Sequence, residues 1–169
     1  MDYIPLCAKT LSVLRADPGM LAQVEALGKV KASIADGGVE VDGEGGSEWI
    51  VRQVLSALDA GFPLGKAFKL FNDNYFFESI DLELATRNKK AVGRYKGRII
   101  GEGGRAKKTI EEQSGAFLSV SGDKVFILGQ FDDLALAKEA VMQLLEGKMH
   151  STVFGFLERK NKIRKYSMR

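Results

Sequence analysis

One stretch, Gly97 to Val120, limits what this chain can fold into: GRIIGEGGRAKKTIEEQSGAFLSV. At its centre is a Gly-x-x-Gly turn, Gly101-Glu102-Gly103-Gly104. Before the turn, Ala91, Val92, Tyr95 and Ile99 fall at i, i+1, i+4 and i+8, one face of a helix. After it, Ala106 and Ile110 are spaced for a second helix, which Ser114-Gly115 ends with a glycine C-cap. Phe117 and Val120 then open a strand. The order is therefore helix, glycine turn, helix, strand. Without a Cβ, a glycine turn admits another backbone closely, and the helix behind it aims free N–H groups and a positive dipole end outward. Nine basic residues (Arg87, Lys89, Lys90, Arg94, Lys96, Arg98, Arg105, Lys107 and Lys108) lie between Arg87 and Lys108, against one acid, Glu102. Together these are the marks of a phosphodiester-binding surface.

The charge of the whole chain hides this asymmetry. Its formal net charge is +3 over 169 residues. Residues 1–61 carry 5 Lys+Arg and 9 Asp+Glu, a net of −4, whereas residues 62–169 carry 20 and 13, a net of +7. One acidic half and one half facing nucleic acid are expected. No apolar run approaches a membrane span and no signal-peptide pattern opens the chain, so a soluble, cytoplasmic protein is expected. The lone Cys7 reads as a buried thiol and the lone His150 as a helix-start residue, with neither a disulfide nor a metal site.

The pattern of the second half already occurs in the first, 86 residues earlier. Val39-x-Val41-x-Gly43 matches Val125-x-Ile127-x-Gly129, Ile50 falls on Leu136, Leu55 on Val141, Leu58 on Leu144 and Gly61 on Gly147. A shared offset over strand, helix and terminator implies two copies of one α+β unit. In the first copy, Tyr3–Leu6 reads as a strand. Leu11–Leu14 and Met20–Leu27 read as helices, divided at Asp17-Pro18-Gly19. Val30–Ile34 and Val39–Val41 pair across an Asp36-Gly37-Gly38 hairpin. Ser47 caps a helix whose apolar face is Trp49, Ile50, Val54, Leu55 and Leu58. At the same offset Gly101–Gly104 faces Arg15-Ala16-Asp17-Pro18, so the first copy lacks the glycine turn. Phe62 to Asp73 reads as a linking helix, Tyr75 to Leu84 as a strand, and His150 onward as a helix with Val153, Phe154 and Leu157 inward. A basic tail follows: Arg159, Lys160, Lys162, Arg164, Lys165 and Arg169.

The stretch from Arg98 to Val120 resembles the core of a KH module. With AFKLFNDNYFFESIDL (Ala67 to Leu82) and HSTVFGFLERK (His150 to Lys160), the chain resembles the archaeal two-KH family of small-ribosomal-subunit maturation. That family is related to the eukaryotic Partner-of-Nob-one (Dim-two) and Krr-one proteins. The resemblance implies two tandem type I KH domains packed together, each β-α-α-β-β-α with a three-stranded antiparallel sheet on helices, plus a C-terminal helix. The expected boundaries are a degenerate KH domain at 1–61 and a linking helix at 62–74. An intact KH domain at 75–149 and a C-terminal helix with basic tail at 150–169 follow. It further implies binding near the 3′ end of small-subunit ribosomal RNA, with the Nob-one endonuclease and the initiation factor two alpha subunit as partners. Two departures stand out: the first copy has no glycine loop, and Glu102 occupies a position more often basic.

About four single-stranded nucleotides are expected to lie between the glycine turn and the strand from Phe117. Bases would rest on Ile99, Ile100 and Leu118 or its neighbour Phe117, while Ile110 beside them reads as core. Arg98, Arg105, Lys107 and Lys108 would meet phosphates beside Gly101, Glu102, Gly103 and Gly104. Glu111 and Glu112 read as solvent-facing partners of Lys107 and Lys108. A dinucleotide enzyme is the main rival, because Gly101-x-Gly103-x-x-Ala106 fits a G-x-G-x-x-G/A fingerprint with Asp123 following. It requires a buried strand before the turn, where the pattern is basic and helical. The other rival is a protein scaffold whose cations are only solvated. No acid–base pair, nucleophile or cofactor motif remains, and a non-enzyme is expected.

Overall fold

The computed structural model describes residues 1–168 and divides into two units, the first spanning Met1–Tyr75. The first contains β1 (Asp2–Pro5), α1 (Ala8–Ala16), α2 (Pro18–Gly28), β2 (Val30–Ala35), β3 (Gly38–Gly43) and α3 (Ser47–Asp59). A short α4 (Leu64–Ala67) and a 3-10 turn (Phe68–Phe71) close it. The second contains β4 (Tyr75–Asp81), α5 (Leu82–Thr86), a 3-10 turn (Lys89–Ala91), α6 (Val92–Ile100), α7 (Arg105–Ser114), β5 (Phe117–Ser121) and β6 (Lys124–Gln130). Two further helices, α8 (Phe131–Leu145) and α9 (His150–Ser167), complete it.

Each unit has a three-stranded sheet, ordered β1-β3-β2 and β4-β6-β5. In the first, Val39 lies between Ile4 and Ile34 on antiparallel neighbours, and in the second Leu118 stands opposite Ile127. Alternation puts the apolar members of these strands on the helix side. Ile4, Leu11, Leu14, Val24, Val39, Val41, Val51 and Leu55 form the first core. Ile80, Ile99, Ile110, Leu118, Ile127, Val141, Leu144, Val153 and Leu157 belong to the second. The 86-residue repeat extends to backbone detail, since α2 and α7 end at the left-handed residues Lys29 (φ 53°) and Gly115 (φ 85°). The antiparallel β5–β6 pair, together with a helix in front of the glycine turn, excludes the parallel strand–turn–helix of a dinucleotide unit.

Several expectations need correction. The strand from Tyr75 stops at Asp81, whose carboxylate accepts from Leu84 N–H at 3.1 Å and starts α5. The linking helix is two short pieces, and α3 is preceded by left-handed Gly46 (φ 85°) rather than capped by Ser47. Trp49 is 63% exposed. At about 100° per residue it sits about 140° round α3 from buried Val54. Cys7 is exposed, its Sγ 3.2 Å from Thr10 Oγ1. The basic segment after Arg159 is helical as far as Ser167. Arg169 lies outside the described residues.

The middle and the end of α3 tie the first unit together. Arg52 Nε and Nη2 donate to the Asp2 carboxylate at 2.9 and 2.5 Å, which holds that carboxyl below its ordinary pKa. Asp59 accepts from Cys7 N–H at 2.9 Å and from the Thr10 hydroxyl at 2.7 Å. In the second unit the comparable joint is Ser114, 1% exposed. Its hydroxyl donates to the Ile110 carbonyl at 2.6 Å and accepts from Ala116 N–H at 3.1 Å. Ser114→Ala orphans that buried N–H, so thermal melts are expected to show a loss of about 1–3 kcal/mol.

Candidate nucleic-acid interface

The three glycines of the turn do different work. Gly101 has φ 76° and ψ 172°, and a Cβ there would stand 2.6 Å from the Ala106 Cβ and 2.7 Å from its backbone nitrogen. Gly101 therefore lets α6 and α7 approach closely. Gly103 (φ 62°) and Gly104 (φ 79°) have positive φ, but a Cβ on either would meet nothing within 4 Å. They supply the left-handed turn and leave its outer side open. α7 begins behind them without a side-chain cap, so its first N–H groups and dipole present a partial positive charge at that opening.

The matching junction of the first unit is different. Asp17 alone separates α1 from α2, and its carboxylate accepts from Gly19 N–H at 3.1 Å, with Pro18 at the first helical position. A carboxylate from the chain itself occupies the place of an external anion.

The expected cations are not equally available. Arg105 is exposed and forms no ion pair among the described residues. Lys108 is exposed and pairs with Glu112 at 3.9 Å. Lys107 Nζ donates to Glu111 Oε1 at 2.9 Å, while Glu111 Oε2 accepts from Leu118 N–H at 3.3 Å. Lys107, Glu111 and the edge strand are thus tied together, and Glu111 is half-buried where a solvent-facing residue was expected. Arg98 Nη2 donates to the Lys148 carbonyl at 2.5 Å, and His150 Nε2–H donates to the Arg98 carbonyl at 2.7 Å. Arg98 therefore fastens the end of α6 to the start of α9.

The apolar residues divide in the same way. Ile99 and Ile110 are 0% exposed and Leu118 is 3% exposed. All three lie in the core, as read for Ile110, whereas for Ile99 and Leu118 this corrects the expected role as base platforms. Ile100 and Phe117 are half-buried and remain as the apolar members of the surface, with exposed Glu102 at the turn. Gly97, four residues ahead of Gly101, is an exposed glycine inside α6 whose Cβ would meet nothing within 4 Å, and its cost of about 1 kcal/mol against alanine in a helix has no packing to account for it.

Comparison with known proteins places this geometry. A family model described as eukaryotic-type KH domain (KH domain type I) matches residues 76–162. A KH domain-containing protein of Methanocaldococcus jannaschii is 40% identical over 111 residues, 66% of this chain and 49% of that protein. The pre-rRNA-processing protein pno1 of Aspergillus fumigatus is 33% identical over 108 residues, 62% of this chain and 43% of that protein. The chain thus spans about half the length, or less, of these curated relatives. Among solved structures, a chain in the complex of a/eIF2alpha, aDim2p and rRNA from Pyrococcus horikoshii superposes with a TM-score of 0.85 at 32% identity. That match covers 95% of this chain and 93% of that one.

Proposed function

Because the chain belongs to the PNO1/Dim2-like family of type I KH proteins, we propose that it binds single-stranded RNA through its second unit and assists maturation of the small ribosomal subunit. The proposed target is the 3′ region of small-subunit ribosomal RNA. The observation that carries this reading is the Gly101–Gly104 turn, open on its outer side at the uncapped start of α7 with Arg105 beside it. Phosphates approach the turn and Arg105, with Lys108 and Lys107 exchanging their glutamates for RNA, while Ile100 and Phe117 border the bases. Arg98 serves by holding α6 in place.

The first unit is read as a KH fold without an RNA site, since Asp17 fills the anion position. Its role is then to dock proteins. The initiation factor two alpha subunit is the proposed partner supported by the Pyrococcus horikoshii complex, and the Nob-one endonuclease is proposed from the family resemblance. The reading is non-enzymatic and needs no cofactor. No helix among the described residues is long and apolar enough to cross a membrane.

Salt titration tests the phosphate clamp. If three or four phosphates are neutralised, log K for single-stranded RNA falls against log salt with a slope of about −2 to −3. Filter binding between low and moderate salt measures it. A flat line would overturn the clamp and leave a scaffold that carries its cations for solubility.

A further inference from the structure

The second unit contains a segment that the first lacks. Leu6 and Cys7 alone join β1 to α1, whereas residues 82–91 separate β4 from α6. Along that insertion and the turn after it stand four exposed cations, Arg87, Lys89, Lys90 and Arg94. None forms an ion pair among the described residues. The nearby acids lie at the other end of α5, where Asp81 is already engaged in capping. The copy without a glycine turn has no counterpart to this group.

Two features make the ridge unfavourable in the free protein. Lys89, Lys90 and Arg94 crowd the start of α6, the end of a helix where cations are repelled by the dipole. Arg87 ends α5 in the left-handed region (φ 53°), where glycine or asparagine is easier to accommodate. Arg94 alone has a partial compensation, its guanidinium lying 5.2 Å from the centre of the Tyr95 ring. A polyanion lying across these residues relieves the repulsion, and no acid among the described residues pairs with them.

We propose that Arg87, Lys89, Lys90 and Arg94 form a second phosphate-contacting ridge, which binds RNA flanking the segment held at the glycine turn. The inference rests on the RNA-binding reading above and extends it. Arg94 stands about 10 Å along α6 from Gly101, and Arg87, Lys89 and Lys90 lie before the helix and further off, so the ridge is set apart from the phosphates at the turn itself. Short RNA should therefore miss the ridge and longer RNA should engage it.

The test compares the full chain with the variant K89Q/K90Q/R94Q, using mixed-sequence single-stranded RNA pools of about four and about twelve nucleotides. The variant is expected to bind the longer pool on the order of tenfold or more weakly at 0.1 M salt, with a slope shallower by about 2. Binding of the shorter pool should stay unchanged, and the melting temperature should hold or rise, because the substitutions relieve the repulsion at the start of α6. Unchanged binding of the longer pool overturns the ridge. Equal weakening for both lengths also overturns it, because the residues would then act through the turn. Loss of an acidic protein partner with RNA binding intact reassigns the surface to protein. Gly103→Asp run alongside keeps the two readings apart: it removes binding at the turn, whereas the ridge is judged only on the difference between lengths.

Discussion

Gly103→Asp is expected to weaken RNA binding on the order of a hundredfold, comparable to losing about three phosphate contacts at 0.1 M salt, in a protein that still folds. Gly103 has φ 62°, in the left-handed region that aspartate tolerates better than most residues, and a Cβ there meets nothing within 4 Å. The folding cost is about 1 kcal/mol. The new carboxylate, however, projects onto the side left open for phosphates. Gly101→Ala, two residues away, should do the reverse. Its Cβ would press on the Ala106 backbone nitrogen at 2.7 Å from a conformation open essentially only to glycine, so the α6–α7 joint fails and stability falls first. Circular dichroism melts and filter binding on both variants check the contrast. A folded Gly103→Asp protein with native affinity would falsify the turn as the RNA site.

Leu157→Ala is expected to cost about 2–5 kcal/mol, a large share of the stability of a domain this size. Leu157 is 0% exposed and packs, with Val153, into the core of the second unit. One turn further along, Asn161 donates to Gln113 Oε1 at 3.0 Å. Arg164 donates to the Ser114 carbonyl at 3.1 Å and also pairs with Asp133. The helix after the last strand–helix repeat is therefore structural at its inner face. Arg159→Ala, on the exposed side, should change stability by no more than about 0.5 kcal/mol. Equal melting of the two variants would show that α9 is an appendage.

The glycine turn and the 86-residue repeat were legible because each rests on backbone requirements that few residues satisfy. Gly101 and Gly103 announce positive φ, and Gly61 and Gly147 end matching helices at φ 102° and 92°. The misreadings came from periodicity applied over short runs. Ile80 and Leu82 alternate like a strand, so the end of β4 was hidden although Asp81 is a capping residue. Trp49 was assigned inward by hydrophobicity, whereas the wheel of α3 puts Val51, Val54 and Leu55 inside. In the site, Ile99 and Leu118 flank the motif and so read as contact residues, but burial is a tertiary outcome that adjacency does not encode. The engagement of Arg98 by Lys148 and His150 spans about fifty positions. No local pattern announces it.

One bond occurs in both units at equivalent positions. Glu25 Oε1 accepts from Ala32 N–H at 2.7 Å, as Glu111 Oε2 does from Leu118 N–H 86 residues later. Ala32 and Leu118 lie in β2 and β5, each at the end of its three-stranded sheet. An uncovered outer strand is a template on which another chain can add by hydrogen bonding. A carboxylate seated there consumes a donor and sets a negative charge in the path of any incoming strand. The equivalent carboxylates therefore oppose strand addition along β2 and along β5, in the unit without a glycine turn as in the unit with one.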